Sequence, residues 1–174
     1  MTARYLRPRM LQPGDVLDEF ECRSPEQTSS LRDHARQAHA TGTARVLVVT
    51  ESDSPLVVGY YAWAMASISI ENAPLRLRQG AGRYPQPIAL LARLGVDVDH
   101  EGRGLGAGML QDVIARVAEL GHNIGCRGLL VHAESDQARA FYLHLVPGFE
   151  PSPTDPLHLV LLMKDIHRTL AGGE

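Results

Sequence analysis

Glu101-Gly102-Arg103-Gly104-Leu105-Gly106-Ala107-Gly108 carries a glycine at every second position. The stretch follows an apolar run, Ile88 to Val98, and precedes an amphipathic segment. Glycine admits positive φ and lets a ligand come close to the main chain. A strand that turns through such a loop into a helix leaves unpaired N–H groups aimed at one point, reinforced by the helix dipole. Those residues in that order make a site for an anion, most often a phosphate. The same spacing without a ligand is a tight strand-to-helix turn.

Other reactive side chains form weaker patterns. His132 and Glu134 stand at the end of a short apolar run, where a general base can sit or an edge residue can simply pack. Asp97, Asp99 and Glu101 cluster at another strand end and read as solvated carboxylates rather than a catalytic pair. His34 and His39 are five residues apart, a poor spacing for one helix face, so no zinc site is read. The two cysteines, Cys22 and Cys126, form no CxxC motif. Cys126 has no activating neighbour beyond Arg127 and reads as a structural thiol. Tyr142, beside Phe141, reads from the residues alone as a core aromatic.

These groups need a scaffold. Ala3 to Leu6 is expected as a first strand, closed by Pro8. Glu26 to Ala40 reads as a polar helix, entered through Ser24-Pro25 and stopped at Gly42. Arg45 to Thr50 reads as a buried strand. Leu56 to Ile70 exceeds one ordinary strand and is expected to bend or bulge. Glu71 to Pro87 reads as an irregular connection with one helical turn near Leu75. Ile88 to Val98 is the strand that feeds the glycine loop. Leu105, Met109, Val113 and Val117 recur every four residues and give one apolar face to a helix from Leu105 to Leu120, ended by Gly121. Leu129 to His132 is a short strand. Asp136 is expected to cap a helix running to about Leu145, with Ala138, Phe141, Tyr142 and Leu145 on one side. Pro151 to Pro156 reads as a stiff loop, and Leu157 to Met163 as a last strand before a short helix. With no repeat or linker visible, residues 1–174 are expected to form one domain.

The chain is 44% hydrophobic, enough for a sizeable core. Its start has no apolar h-region, so no signal peptide is expected. The longest apolar run, Leu56 to Ile70, is interrupted and falls short of the roughly 20 residues that span a bilayer. No membrane partner is therefore expected, and the cysteine usage suits a reducing cytoplasm. The net charge of −3 argues mildly against nucleic acid, but the distribution is uneven. All the basic residues except Lys164 are arginine. The segment from Asn72 to Val96 holds Arg76, Arg78, Arg83 and Arg93 and no acid. Arginine binds phosphate bidentately; the alternative is a solvated loop in an arginine-biased chain.

Gly102-x-Gly104-x-x-Ala107 also fits a dinucleotide-binding fingerprint. That fold needs two βαβ halves and an acid about 20 positions on, at the next strand end. Only 66 residues follow Gly108, and the acid at the right strand end, Glu134, is about 30 positions on. The element order β–α–β–β–β–loop–α–β–α–β–β instead resembles the GNAT superfamily of acyl-CoA-dependent N-acetyltransferases. Their pyrophosphate loop is commonly Gln/Arg-x-x-Gly-x-Gly/Ala. Glu101-Gly102-Arg103-Gly104-Leu105-Gly106 matches it in the glycines and departs at the first position. Ala140-Phe141-Tyr142 followed by Gly148-Phe149-Glu150 resembles the FY…GFE signature, with the gap lengthened at Val146-Pro147. Leu17 to Cys22, Gly42 to Arg45, Val58 to Ala62, Arg93 to Asp97, Arg127 to Ala133 and Gly148 to Pro156 narrow the likeness to the GNAT-type toxins of toxin–antitoxin modules.

The resemblance implies an α/β (α+β) GNAT fold: a mixed, mostly antiparallel twisted sheet of six or seven strands, flanked by helices and splayed between strands four and five. It implies acetyl-CoA as co-substrate, its pyrophosphate over Arg103, Gly104, Leu105, Gly106 and Ala107, and no metal. Main-chain N–H groups over Leu94 to Val96 would stabilise the oxyanion, and Tyr142 would deliver a proton to the leaving thiolate. The implied acceptor is the free α-amine of aminoacyl-tRNA, whose acetylation blocks translation. Arg76, Arg78, Arg83 and Arg93, joined by Arg32, Arg36 or Arg45, would then contact the acceptor stem. A ribbon-helix-helix antitoxin and a homodimer are the implied partners. Two other functions fit the same residues: an acetyltransferase of a small amine or protein N-terminus, and a non-catalytic module that only binds CoA or RNA.

Overall fold

Ser24 and Pro25 start the first helical region as their types imply. The Ser24 side chain accepts the Gln27 N–H at 3.1 Å, and Pro25 occupies the first turn of α1 (Pro25–Ser29). A π-helical turn, Ser30–His34, joins it to α2 (Ala35–Thr41). Gly42, at φ 78°, ends the run in the left-handed conformation. The computed structural model describes residues 4–172. Of the expected first strand, Ala3 lies outside the described residues, and Tyr5 makes only a single bridge to Glu51. The strand forms later, as β1 (Arg9–Met10), after a one-residue slip in register: Leu11 N–H bonds the Val46 carbonyl, but Leu6 N–H bonds that of Thr50.

The remaining strands are β2 (Arg45–Thr50), β3 (Val57–Ile68), β4 (Gln86–Val96), β5 (Gly128–His132), β6 (Glu150–Pro151) and β7 (His158–Leu162). The sheet has seven strands in the order β1-β2-β3-β4-β5-β7-β6. β4 and β5 run parallel; β1–β2, β2–β3, β5–β7 and β6–β7 are antiparallel. This is the mixed sheet expected of the family. The expected irregularity along the long third strand is a register shift: Val49 faces Gly59, but Thr50 faces Val57. The helices that follow are α3 (Leu75–Arg78), α4 (Leu105–Asn123), α5 (Asp136–Leu145) and α6 (Met163–Ala171).

Two compact units divide the chain. The first runs to Ala64 and resumes over Ala92–Asp112. Its core is built from Leu17, Phe20, Leu31, Val46, Val48 and Tyr60. Phe20 meets Tyr60 edge-on at 5.5 Å, and the buried Tyr60 hydroxyl donates to the Gln27 carbonyl at 2.6 Å. The second unit covers Met65–Leu91 and the chain from Val113 on. Ile68, Ala73, Leu77, Ile88, Leu130, Val160 and Leu162 form its core.

Three boundaries differ from the sequence reading. α4 passes through Gly121 to Asn123. A Cβ at Gly121 would stand 2.6 Å from Met163 Cε, so this glycine admits a neighbouring side chain rather than ending the helix. Ser135, not Asp136, caps α5: its side chain accepts the Ala138 N–H at 3.1 Å. Pro151 is not all loop, because Glu150–Pro151 pairs with β7.

Gly128 opens β5 at φ 152°, and a Cβ there would lie 2.1 Å from the Leu161 carbonyl oxygen. Gly128→Ala is expected to cost about 3 kcal/mol through this backbone collision. Urea unfolding of the purified variant checks it, and a loss under about 0.5 kcal/mol, the range of neutral surface changes, would contradict it.

Candidate active site

β4 pairs with β5 over Ala89, Leu90 and Leu91, then runs on to Val96. The Asp97 N–H donates to the Val58 carbonyl of β3 at 2.9 Å. N–H directions alternate along a strand, so Gly95 shares that edge, and the N–H groups of Leu94 and Val96 point to the opposite one. Gly95 is held against the core: a Cβ there would come within 3.2 Å of Tyr60 Cε1 and 3.4 Å of Cys22 Sγ. Asp97, 8% exposed, accepts the N–H groups of Glu21 at 3.0 Å and Asp99 at 2.9 Å. It fixes the strand end as a buried acceptor, not as the solvated carboxylate expected from the sequence.

The glycine loop follows. Gly102 and Gly104 take φ 74° and 80°, conformations that favour glycine. Nothing lies within 4 Å of where a Cβ would stand on Gly102, Gly104 or Gly108, so that face of the loop is open. The first carbonyl used by α4 is that of Gly104, which accepts the Gly108 N–H at 2.9 Å. The N–H groups of Leu105, Gly106 and Ala107 precede it in the first turn, where a helix offers them no acceptor. The Arg103 guanidinium turns to the Tyr5 hydroxyl at 2.8 Å, which itself shares a hydrogen bond with His100 Nδ1. Glu101, the position that departs from the usual loop, is ion-paired to Arg23 at 2.8 Å.

α5 carries Tyr142, which is 7% exposed. Its ring meets Phe141 edge-on at 5.2 Å and Phe149 at 6.1 Å. Among the described residues its hydroxyl makes no hydrogen bond. Burial, and secondly the charge of Glu134, raise its pKa above that of an ordinary phenol. The Val146-Pro147 lengthening is absorbed in a turn: Val146 N–H donates to the Tyr142 carbonyl and Phe149 N–H to the Val146 carbonyl. Phe149 thereby still reaches the tyrosine ring. Gly148 admits Leu161 Cδ1, which would stand 3.2 Å from a Cβ.

His132 lies at the end of β5 and stacks on the cross-strand His158 at 3.8 Å. Desolvation, and secondly the charge His158 carries when protonated, push its pKa below 6.5. Both effects favour the neutral imidazole, which has a structural stacking partner in His158. No group of three or more His, Cys, Asp or Glu among the described residues could hold a metal ion. No described helix is long and apolar enough to cross a membrane.

Residues 15–145, which include β4, the glycine loop and Tyr142, match the Acetyltransferase (GNAT) family. The chain belongs to this family. It is 44% identical over 168 residues to a tRNA-acetylating toxin of Mycobacterium tuberculosis, covering 97% of this chain and 98% of that protein. It is 30% identical over 159 residues to a probable toxin TacT of Sinorhizobium fredii, covering 88% and 87%. Among solved structures, AtaT complexed with acetyl-methionyl-tRNAfMet shares the fold, with a TM-score of 0.85 at 23% identity over 95% of this chain and 99% of that one.

In this GNAT chain the candidate RNA-binding arginines have varied fates. Arg76 donates to Glu150 Oε1 and Asp165 Oδ2, both at 2.7 Å. Arg78 donates to the carbonyls of Ala73 and Glu71, stapling its own connection. Arg93 pairs with Glu26 at 2.9 Å. Arg36 donates to the carbonyls of Gln12 and Asp15, and Arg45 to that of His39. Among the described residues, exposed Arg83 and Arg32 make no such bond. The Arg76 partners were not legible: Glu150 and Asp165 are 74 and 89 residues away. Arg23 was missed as well, and its one signal was the unusual carboxylate at Glu101.

Arg76 holds the Asp165 carboxyl below the usual carboxylate range. Because that folded value lies below the unfolded one, the pair stabilises the protein above the unfolded pKa, and the benefit is lost as pH falls through the folded value. Arg76→Ala is expected to lower the melting temperature by several degrees at pH 7, with the gap from wild type closing in strong acid. Equal melting temperatures at pH 7 would show the pair to be ornamental.

Proposed function

We propose that this chain is the toxin of a toxin–antitoxin module and acetylates the free α-amine of aminoacyl-tRNA with acetyl-CoA, arresting translation. The observation that carries this reading is the near end-to-end 44% identity to a tRNA-acetylating toxin. The local geometry supports it. The open glycine face and the free first-turn N–H groups of α4 suit a diphosphate. Arg103, Gly104, Leu105, Gly106 and Ala107 are the residues that would hold it.

When bound, acetyl-CoA supplies the thioester carbon that the amine attacks. A free α-amine titrates near pH 7.7–8.0, against about 10.4 for lysine, so roughly a tenth or more of it is already neutral at pH 7 and no dedicated strong base is required. As the C–N bond forms and the C–S bond breaks, Leu94 and Val96 offer N–H groups to the oxygen that gains charge. One such donor is worth about 3 kcal/mol. The proton lost by the amine ends on sulfur. A thiol titrates near 8.5, well below the raised Tyr142 phenol, so Tyr142 stays protonated and meets the departing sulfur as a hydrogen-bond donor that relays the proton.

On this reading residues 1–174 act as one domain in the cytoplasm, as a homodimer silenced by a ribbon-helix-helix antitoxin. A second reading, an acetyltransferase of a small amine or protein N-terminus without a toxin role, is favoured by one observation. Arg76, Arg78 and Arg93 are engaged within the protein rather than left for RNA. Arg83 is then the arginine of the original four left for phosphate.

Tyr142→Phe keeps the ring and removes the hydroxyl. Its kcat is expected to fall about 10²–10⁴-fold in an acetylation assay with purified protein, while circular dichroism stays unchanged. A near wild-type rate would move the proton transfer elsewhere, with His132 next in line.

Arg83→Glu is expected to weaken binding of every aminoacyl-tRNA alike, because a phosphate contact carries no sequence information. The log–log salt slope should flatten by about 0.7–0.9. Filter binding across a salt series measures it, and an unchanged affinity would favour the second reading.

A further inference from the structure

Glu101 sets a negative charge at the start of a loop whose proposed guest is a diphosphate. Like charges at a few ångströms repel strongly when partly desolvated. The structure places a specific partner on that carboxylate. Arg23 Nε donates to Glu101 Oε1 at 2.8 Å and to Oε2 at 3.0 Å. The two terminal nitrogens of the guanidinium make no bond among the described residues, and the Arg23 side chain is 79% exposed. The guanidinium is thus anchored by one nitrogen and presents its Nη edge outward.

The segment around Arg23 is tied down on both sides. Glu21 N–H donates to Asp97 Oδ2 at 3.0 Å, and Val98 N–H returns a bond to the Glu21 carbonyl at 2.9 Å. Arg93 bonds Glu26 at 2.9 Å. These links fasten residues 21–26 to the strand end that leads into the loop. Arg23 also borders an open hollow of about 360 Å³, lined further by Glu21, Pro25, Thr28, Arg32 and Asp33 and by no residue of the glycine loop.

We propose that Arg23 is a phosphate ligand for acetyl-CoA and that Glu101 is its positioning residue, the pair restoring a cation where the loop itself supplies an anion. This rests on the reading that the loop takes acetyl-CoA. A guanidinium fork suits a phosphate in a way an ammonium does not. Arg23 masks Glu101 and contacts the ligand at once, so its removal both deletes a donor and bares a carboxylate. Loss of Glu101 from an intact Arg23 removes only an orienting contact.

Isothermal titration of acetyl-CoA into wild type and four variants tests this. Arg23→Ala is expected to bind at least 10-fold more weakly than wild type, and Glu101→Gln within threefold of it. The double variant Arg23→Ala/Glu101→Gln is expected to bind at least threefold more tightly than Arg23→Ala alone, because the bared carboxylate is gone. Arg23→Lys should fall between wild type and Arg23→Ala. Both positions are at the surface, and matching melting curves show that the variants are folded. Arg23→Ala binding within twofold of wild type, or a double variant no tighter than Arg23→Ala, overturns the proposal alone. Wild-type protein that fails to bind acetyl-CoA overturns it together with the reading beneath it.

Discussion

β4 outruns its parallel partner. Its bonds to β5 stop at Leu91, but the strand continues to Val96 and is held on the other edge by Val58. Main-chain groups of a strand are obligatory donors and acceptors, so an edge left unpaired over several residues needs another partner. Leu94 and Val96 are the residues whose N–H groups alternation assigns to that edge. The glycine loop depends on the same strand. Asp97 caps its end, and Glu101 to Gly104 turn it into α4. The packing of Phe20, Cys22 and Tyr60 against Gly95 keeps the strand seated.

The second unit solves a different problem, which is how to hold a phenol in an apolar setting with no hydrogen bond among the described residues. Tyr142 is clasped by Phe141 and Phe149. Phe149 is in turn fixed by its neighbours: Gly148 lies close to Leu161, and Glu150 pairs with Arg76 and aligns with β7. Arg76 closes the chain of contacts on Asp165 of α6. The Gly148-Phe149-Glu150 motif is therefore a brace, and each of its three residues has a separate mechanical part. The raised pKa of the phenol follows from this burial more than from the charge of Glu134.

Local signals were legible and distant ones were not. The loop at Gly102 and Gly104, the Ser24–Gly42 helical run and the strand Arg45–Thr50 were readable because each depends on the conformational preference of the residues themselves. Gly121 misled for the same reason: local preference suggests a helix end, but the residue answers to Met163, which is far off in sequence. The acid-free stretch around Arg76, Arg78 and Arg83 read as a free cationic surface. Composition reports which charges a segment lacks but not which distant carboxylates or carbonyls it reaches, and Arg76 and Arg78 each found partners. Glu101 was visible as an oddity; its partner Arg23, 78 residues upstream, became visible only once the chain was folded. Tyr142 was identifiable through family likeness, since a tyrosine beside a phenylalanine on a helix is by itself an ordinary core pair.

The central claim is that the acetyl group goes to the amine of an aminoacyl ester on tRNA. The direct measurement is to incubate the purified protein with radiolabelled acetyl-CoA and total charged tRNA, then cleave the aminoacyl ester with mild base. The expected result is label in the released N-acetyl-amino acid, absent when the tRNA is deacylated beforehand. Label that remains on the RNA after cleavage, or that appears only on free amines or protein N-termini, would contradict the account.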